Sequence, residues 1–136
     1  MVNVILVSHG SFAAGLRDAA EMILGEQENL DALGVFPGDT LDHFIAKVED
    51  SINRFNDPDN TLIMADFFGG TPSNTTMMMV LKHHVHALIG CNLPMLIDVL
   101  SMRSELGVDD LMREALEIGR NGIRDPEEVL VGEGRG

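Results

Sequence analysis

Tryptophan and tyrosine are absent from this chain, and the aromatic residues reduce to six phenylalanines. The core must therefore be packed from Val, Ile, Leu, Ala and nine Met, which the 45% apolar content supplies. Cysteine is nearly missing as well. Cys91 stands alone, which excludes an internal disulfide and suits a reducing compartment. Positive charge is scarce: 9 Lys and Arg face 22 Asp and Glu, for a formal charge of -13. Such a field repels a phosphate backbone, so a nucleic-acid binder is excluded, and it steers a basic protein partner inward. No apolar run approaches the ~20 residues that a membrane-spanning helix needs. The amino terminus also lacks the basic start and cleavage site of a signal peptide. The expectation is a soluble, cytoplasmic protein with no direct membrane insertion.

What is present is a regular alternation. Val2–Val7 is apolar on both faces, as a central parallel strand must be. Behind Ser11, the expected N-cap, Phe12, Leu16, Ala19, Ala20, Ile23 and Leu24 recur at helical spacing up to Gly25. Leu30–Phe36 reads as a second strand. A helix capped by Thr40 follows, with Leu41, Phe44, Ile45, Val48, Ile52 and Phe55 along one stripe. Then come a strand at Thr61–Ala65, a helix from near Ser73 to His83, and a short strand at His86–Ile89. Pro94 suits the first turn of the next helix, and Val108–Gly119 forms the last. The spacing predicts one α/β domain over residues 1–124, doubly wound, with helices on both faces of a mainly parallel four-stranded sheet ordered 2-1-3-4. The polar tail at 125–136 is interrupted only by Val129-Leu130-Val131. That trio is expected to add a short antiparallel edge strand before a frayed end at Gly132–Gly136.

That strand order makes the first and third strands neighbours, so His9 and Asp66 meet beyond their carboxyl ends. A carboxylate accepting from one imidazole N–H fixes the tautomer and leaves the other nitrogen free as a nucleophile or general base. The helix behind Ser11 would aim unpaired N–H groups at the same place, and Gly69-Gly70-Thr71 adds backbone donors and a hydroxyl. The candidate phosphate cradle is Gly10, Ser11, Gly70, Thr71 and Ser73. Each piece has a plain structural reading by itself: a strand-ending histidine, a turn-capping aspartate, a glycine turn. Their convergence at one sheet edge is what points to chemistry.

Three stretches carry a resemblance. Ser8-His9-Gly10, Asp66-Phe67-Phe68-Gly69-Gly70-Thr71-Pro72-Ser73-Asn74 and Asn92-Leu93-Pro94-Met95-Leu96 resemble the IIA domain of the mannose/sorbose class of the bacterial phosphoenolpyruvate-dependent sugar phosphotransferase system. Gly34-Val35-Phe36-Pro37-Gly38-Asp39 fits as well, and the likeness spans about residues 2 to 122. It implies a phosphotransferase component needing no cofactor. His9 would be transiently phosphorylated on the nitrogen turned away from Asp66, and Thr71 with its neighbouring backbone would contact the phosphoryl group. The phosphoryl group would come from the carrier HPr and pass to the IIB component, which serves the membrane components IIC and IID. A homodimer is implied too.

Other readings compete. A regulatory module of the same fold would also be labelled on His9, and a small hydrolase could use His9 and Asp66 as a general base. His83, His84 and His86 invite a metal, but no cysteine or carboxylate stands near them at ligand spacing, and a polar loop is favoured. Cys91 reads as packing rather than a nucleophile. Asp98 faces either the pocket or solvent.

Overall fold

The first strand, β1 (Asn3–His9), is buried from end to end except at His9 in the computed structural model, which describes residues 1–135. It is followed by α1 (Phe12–Leu24), β2 (Leu30–Val35), α2 (Leu41–Phe55), β3 (Thr61–Ala65), α3 (Gly70–His83), β4 (His86–Ile89), α4 (Leu93–Met102), α5 (Val108–Asn121) and α6 (Pro126–Arg135). The four strands are all parallel in the order β2-β1-β3-β4. Right-handed crossovers then require helices on both faces.

Strand alternation divides the core in two. Val4, Leu6, Leu62, Met64 and Leu88 face α1, α4 and α5, where Leu16, Ala20, Leu96, Val99 and Leu111 are buried. Ile5, Val7, Ile63 and Ala65 face α2 and α3 and pack on Phe44, Val48, Ile52 and Met79. Each such side chain contributes about 1.5–3 kcal/mol by leaving water. His9 continues the odd-numbered series of Ile5 and Val7, so it emerges on the α2/α3 face. Ser8 belongs to the α1 face.

Two expectations need correcting. Helix α3 starts at Gly70 rather than near Ser73, because the buried Ser73 hydroxyl accepts the Gly69 N–H at 2.9 Å and pins the turn from inside. Val129–Val131 is not an edge strand but part of α6. Pro126 occupies the first helical turn, the Asp125 carboxylate accepts the Glu127 N–H at 2.9 Å, and Glu127 and Glu128 sit at the positive end of the dipole. These start signals outweigh three apolar residues in a row. Gly136, the last residue of the expected frayed end, lies outside the described residues.

Candidate active site

Asp66 is the residue that organises the edge of the sheet. Its N–H extends the ladder to Val7 O at 3.2 Å, leaving its side chain just beyond the end of β3. Oδ2 accepts both the backbone N–H of His9 and a bond from His9 Nδ1, each at 2.8 Å. Oδ1 accepts the Phe67 N–H at 2.9 Å. Burial pushes this carboxyl's pKa up, but the bonds from His9 and Phe67 outweigh it and hold Asp66 below its ordinary value. It therefore stays ionised and keeps Nδ1 as the protonated nitrogen. The lone pair lies on Nε2. The His9 side chain is 48% exposed against 12% for that of Asp66, so the imidazole is open to solvent while its anchor is mostly covered.

Nε2 looks at the start of α3. A Cβ on Gly70 would lie 2.8 Å from Nε2, and the glycine's φ is +78°, so both space and backbone demand glycine here. The first turn of α3 thus abuts His9 Nε2. Its positive dipole end favours an anion there, and Pro72, within that turn, has no N–H to contribute. Thr71 is half-buried in the same turn.

Of the two donor sets expected beside His9, the start of α1 and Gly69-Gly70-Thr71, the second lies against Nε2. The Ser11 hydroxyl makes no capping bond; Ser8 Oγ caps instead, accepting the Ala13 N–H at 2.8 Å on the α1 face. Gly10 donates to Val35 O at 2.7 Å, and no hydrogen bond of Gly10 or Ser11 reaches the His9 ring among the described residues. Ser73 is fully buried, with its hydroxyl held between the Gly69 N–H and Gly70 O. It supports the glycine turn from behind and does not face the ring. Alternation along β1 sets Ser8 and His9 on opposite faces of the sheet, Ser8 on that of α1 and His9 on that of α3.

A family model described as "PTS system fructose IIA component" matches residues 3–116, a span that holds both His9 and Asp66. The chain belongs to this EIIA-man family. The fructose-specific EIIA component of Bacillus subtilis strain 168 is 33% identical over 131 residues, 96% of this chain and 90% of that one. The mannose-specific EIIAB component of Escherichia coli K12 is 32% identical over 125 residues, 90% of this chain. This EIIA chain spans only 39% of that longer relative. Among solved structures, EIIA from Streptococcus agalactiae matches with a TM-score of 0.84 at 27% identity, covering 94% of this chain and 99% of that one. The mannose/sorbose-specific IIA subunit from Enterococcus faecalis matches at 0.81 and 29%, covering 91% and 93%.

Other singled-out residues of this EIIA lie elsewhere. His83 Nε2 meets Glu49 Oε2 at 2.6 Å between α3 and α2, His84 closes α3 in a left-handed conformation, and His86 Nδ1 is 3.9 Å from Asp109. The bonds from Lys82 and then His83 hold Glu49 below its ordinary pKa. Cys91 is buried, and burial, with the Asp66 charge adding to it, pushes its thiol up to about 12. It is no nucleophile at neutral pH. Asp98 faces Glu114 across α4 and α5, away from His9. A groove of about 250 Å³ beside Asn92, Met95, Leu116 and Ile123 does not include His9. His9 thus lies on open surface rather than in a cavity.

Sequence reasoning missed two participants. Gly34 carries the end of β2 under the turn after His9: a Cβ there would lie 2.1 Å from Gly10 O. The expected sheet order made β2 a neighbour of β1, but only coordinates show so close an approach. Phe67 was quoted only as part of a motif, and its ring lies beside that of His9.

Proposed function

We propose that this EIIA is a phosphoryl carrier that accepts phosphate on His9 Nε2 from phospho-HPr and hands it to a IIB component during sugar uptake. The observation that carries the reading is the His9 Nδ1···Asp66 Oδ2 bond of 2.8 Å, which leaves Nε2 as the free nucleophile facing Gly70. In the accepting step the Nε2 lone pair attacks phosphorus in line while the donor's N–P bond breaks and its imidazole recovers the electron pair. The reverse geometry serves the handover to a histidine of IIB. Nδ1–H stays on Asp66 throughout, so the charge developing on the ring is compensated by a carboxylate already in place.

The phosphoryl group is held by the Gly70 and Thr71 end of α3, with no cofactor and no arginine clamp. Such donors hold an anion without trapping it. Gly10, Ser11 and Ser73 are kept here as residues shaping the turns around the site. The membrane components IIC and IID take part only through IIB, which places this chain in the cytoplasm. None of its helices among the described residues is long and apolar enough to cross a membrane. The homodimer belongs to the same proposal. An uncharged surface for it is offered by Met77, Met78 and Leu81, exposed on α3. A monomeric mass by light scattering at micromolar concentration would sink that part.

The test is incubation with phosphoenolpyruvate, enzyme I and HPr. One acid-labile, base-stable phosphate per chain is expected, lost in His9→Ala and discharged by a cognate IIB. Labelling that persists in His9→Ala would end the reading. Labelling without discharge to IIB would leave a regulatory module instead.

A further inference from the structure

Asp66 holds the His9 ring at one nitrogen only, and a ring pinned at one atom still swings about that bond. A second contact is present. The Phe67 ring lies with its centroid 5.4 Å from that of His9 and its plane tilted by 42°. Phe67 is itself anchored through its backbone, and its ring lies beside Gly69. Its N–H is bonded to Asp66 Oδ1 at 2.9 Å, so one carboxylate grips the backbones of both residues. Its far edge lies over Gly69, where a Cβ would come within 3.2 Å of Phe67 Cε2. Phe68, next in sequence, is 74% exposed against 55% for Phe67. An aromatic ring left 55% in water yet seated against the nucleophile is not explained by core packing.

We propose that Phe67 is a positioning residue for His9: its ring sets the plane of the imidazole so that Nε2 stays aimed at the amino end of α3. The proposal rests on His9 being the phosphoryl acceptor. In-line transfer is sensitive to the direction of the lone pair, so a ring free to swing spends less time in the reactive orientation. Phe67 also covers one flank of the imidazole. In the phosphorylated state it slows hydrolysis, in which water oxygen attacks phosphorus, the N–P bond breaks and the imidazole recovers the electron pair.

An exposed aromatic could instead be a docking contact for the carrier protein, and the experiment separates the two roles. Phosphoramidate is a small donor needing no docking surface: the bond from phosphorus to Nε2 forms as the donor's P–N bond breaks and ammonia leaves. Phe67→Ala is expected to be labelled by phosphoramidate about five- to tenfold more slowly than the unmodified chain, from the loss of one aromatic contact. Phe67→Leu should recover most of the rate, and Phe68→Ala should match the unmodified chain. With phospho-HPr, Phe67→Ala should lower kcat by the same factor at unchanged KM. The phosphorylated variant should also lose its phosphate faster on standing. Phosphoramidate labelling of Phe67→Ala at the full rate would overturn the proposal, as would a defect confined to KM. Failure of the carrier reading looks different: the unmodified chain would take phosphate from phosphoramidate but not from phospho-HPr, and the comparison of Phe67 variants would still decide this question. Unchanged melting temperatures of the variants exclude a folding defect as the cause.

Discussion

At the scale of single residues, the site depends on where one proton and one missing methyl group are. Asp66→Asn keeps the shape and can still accept the His9 N–H through its amide oxygen. It removes the charge that keeps the proton on Nδ1 and compensates the ring during transfer. Phosphorylation should fall by on the order of 10²-fold or more with the melting temperature nearly unchanged. A transfer rate equal to that of the unmodified chain would remove Asp66 from the mechanism. Gly70→Ala tests the other side of the ring. The new Cβ would stand 2.8 Å from Nε2, the proposed phosphoryl acceptor, on a backbone with φ of +78°. The strain costs about 1–2 kcal/mol, and transfer should be lost beyond what that cost explains. The comparison is made on folded protein, by labelling at a temperature well below the variant's melting point.

At the scale of elements, what was legible in the sequence is what periodicity encodes. The four strands and five of the helices follow from alternation, helical stripes and caps such as Thr40, whose Oγ1 accepts the His43 N–H at 3.2 Å. Parallel order then brings His9 and Asp66 together without any knowledge of distances. What was not legible depends on direction at strand ends. Ser8, Ser11 and Ser73 are the same residue type near helix starts, and only the face on which each emerges decides whether it caps, faces solvent or braces a turn. The edge strand failed for a related reason: Asp125-Pro126 starts a helix, and a short apolar trio by itself does not distinguish helix from strand. Asp98 shows a relation between helices that no pattern reveals. Burial first, then a hydrogen bond and charge from Glu114, push its pKa from 3.8 up to about 6. A carboxyl raised in the folded state stabilises the fold fully below its unfolded value, and that stabilisation is lost as pH rises through about 6. Asp98 is only partly buried, so solvent screening reduces the effect to about 1–2 kcal/mol. The chain should therefore lose stability in urea between about pH 4 and pH 6, and Asp98→Asn should flatten that slope. An unaltered slope would show that Glu114 and Asp98 do not share a proton.

The whole molecule is closed at the end of the sheet opposite His9 by a buried arginine. Arg103, after α4, is only 3% exposed, and its guanidinium reaches Val2 O at 3.3 Å, Asn29 O at 3.0 Å, Gln27 Oε1 at 3.1 Å and Glu28 O at 2.5 Å. One side chain thus ties the chain's start to the loop before β2. Arg103→Ala strands those carbonyls and should cost about 2–4 kcal/mol in chemical denaturation. It should leave the phosphorylation rate of the folded protein intact, because the sheet separates the two ends. The chain as a whole carries a formal charge of -13. That field favours encounter with a basic partner from a distance, whereas the proposed transfer step would run inside a short-range network of one carboxylate and a helix terminus. Salt acts on the first and hardly on the second, because the Debye length is ~10 Å at 0.1 M and shrinks as salt rises. Between about 0.05 and 0.5 M salt, the phospho-HPr concentration giving half-maximal transfer should rise about three- to tenfold while kcat holds. Phosphoramidate, which needs no protein encounter, supplies the control: its labelling rate should change far less over the same range. A half-maximal concentration that stays flat or falls with salt would mean that the acidic surface does not guide the donor to His9.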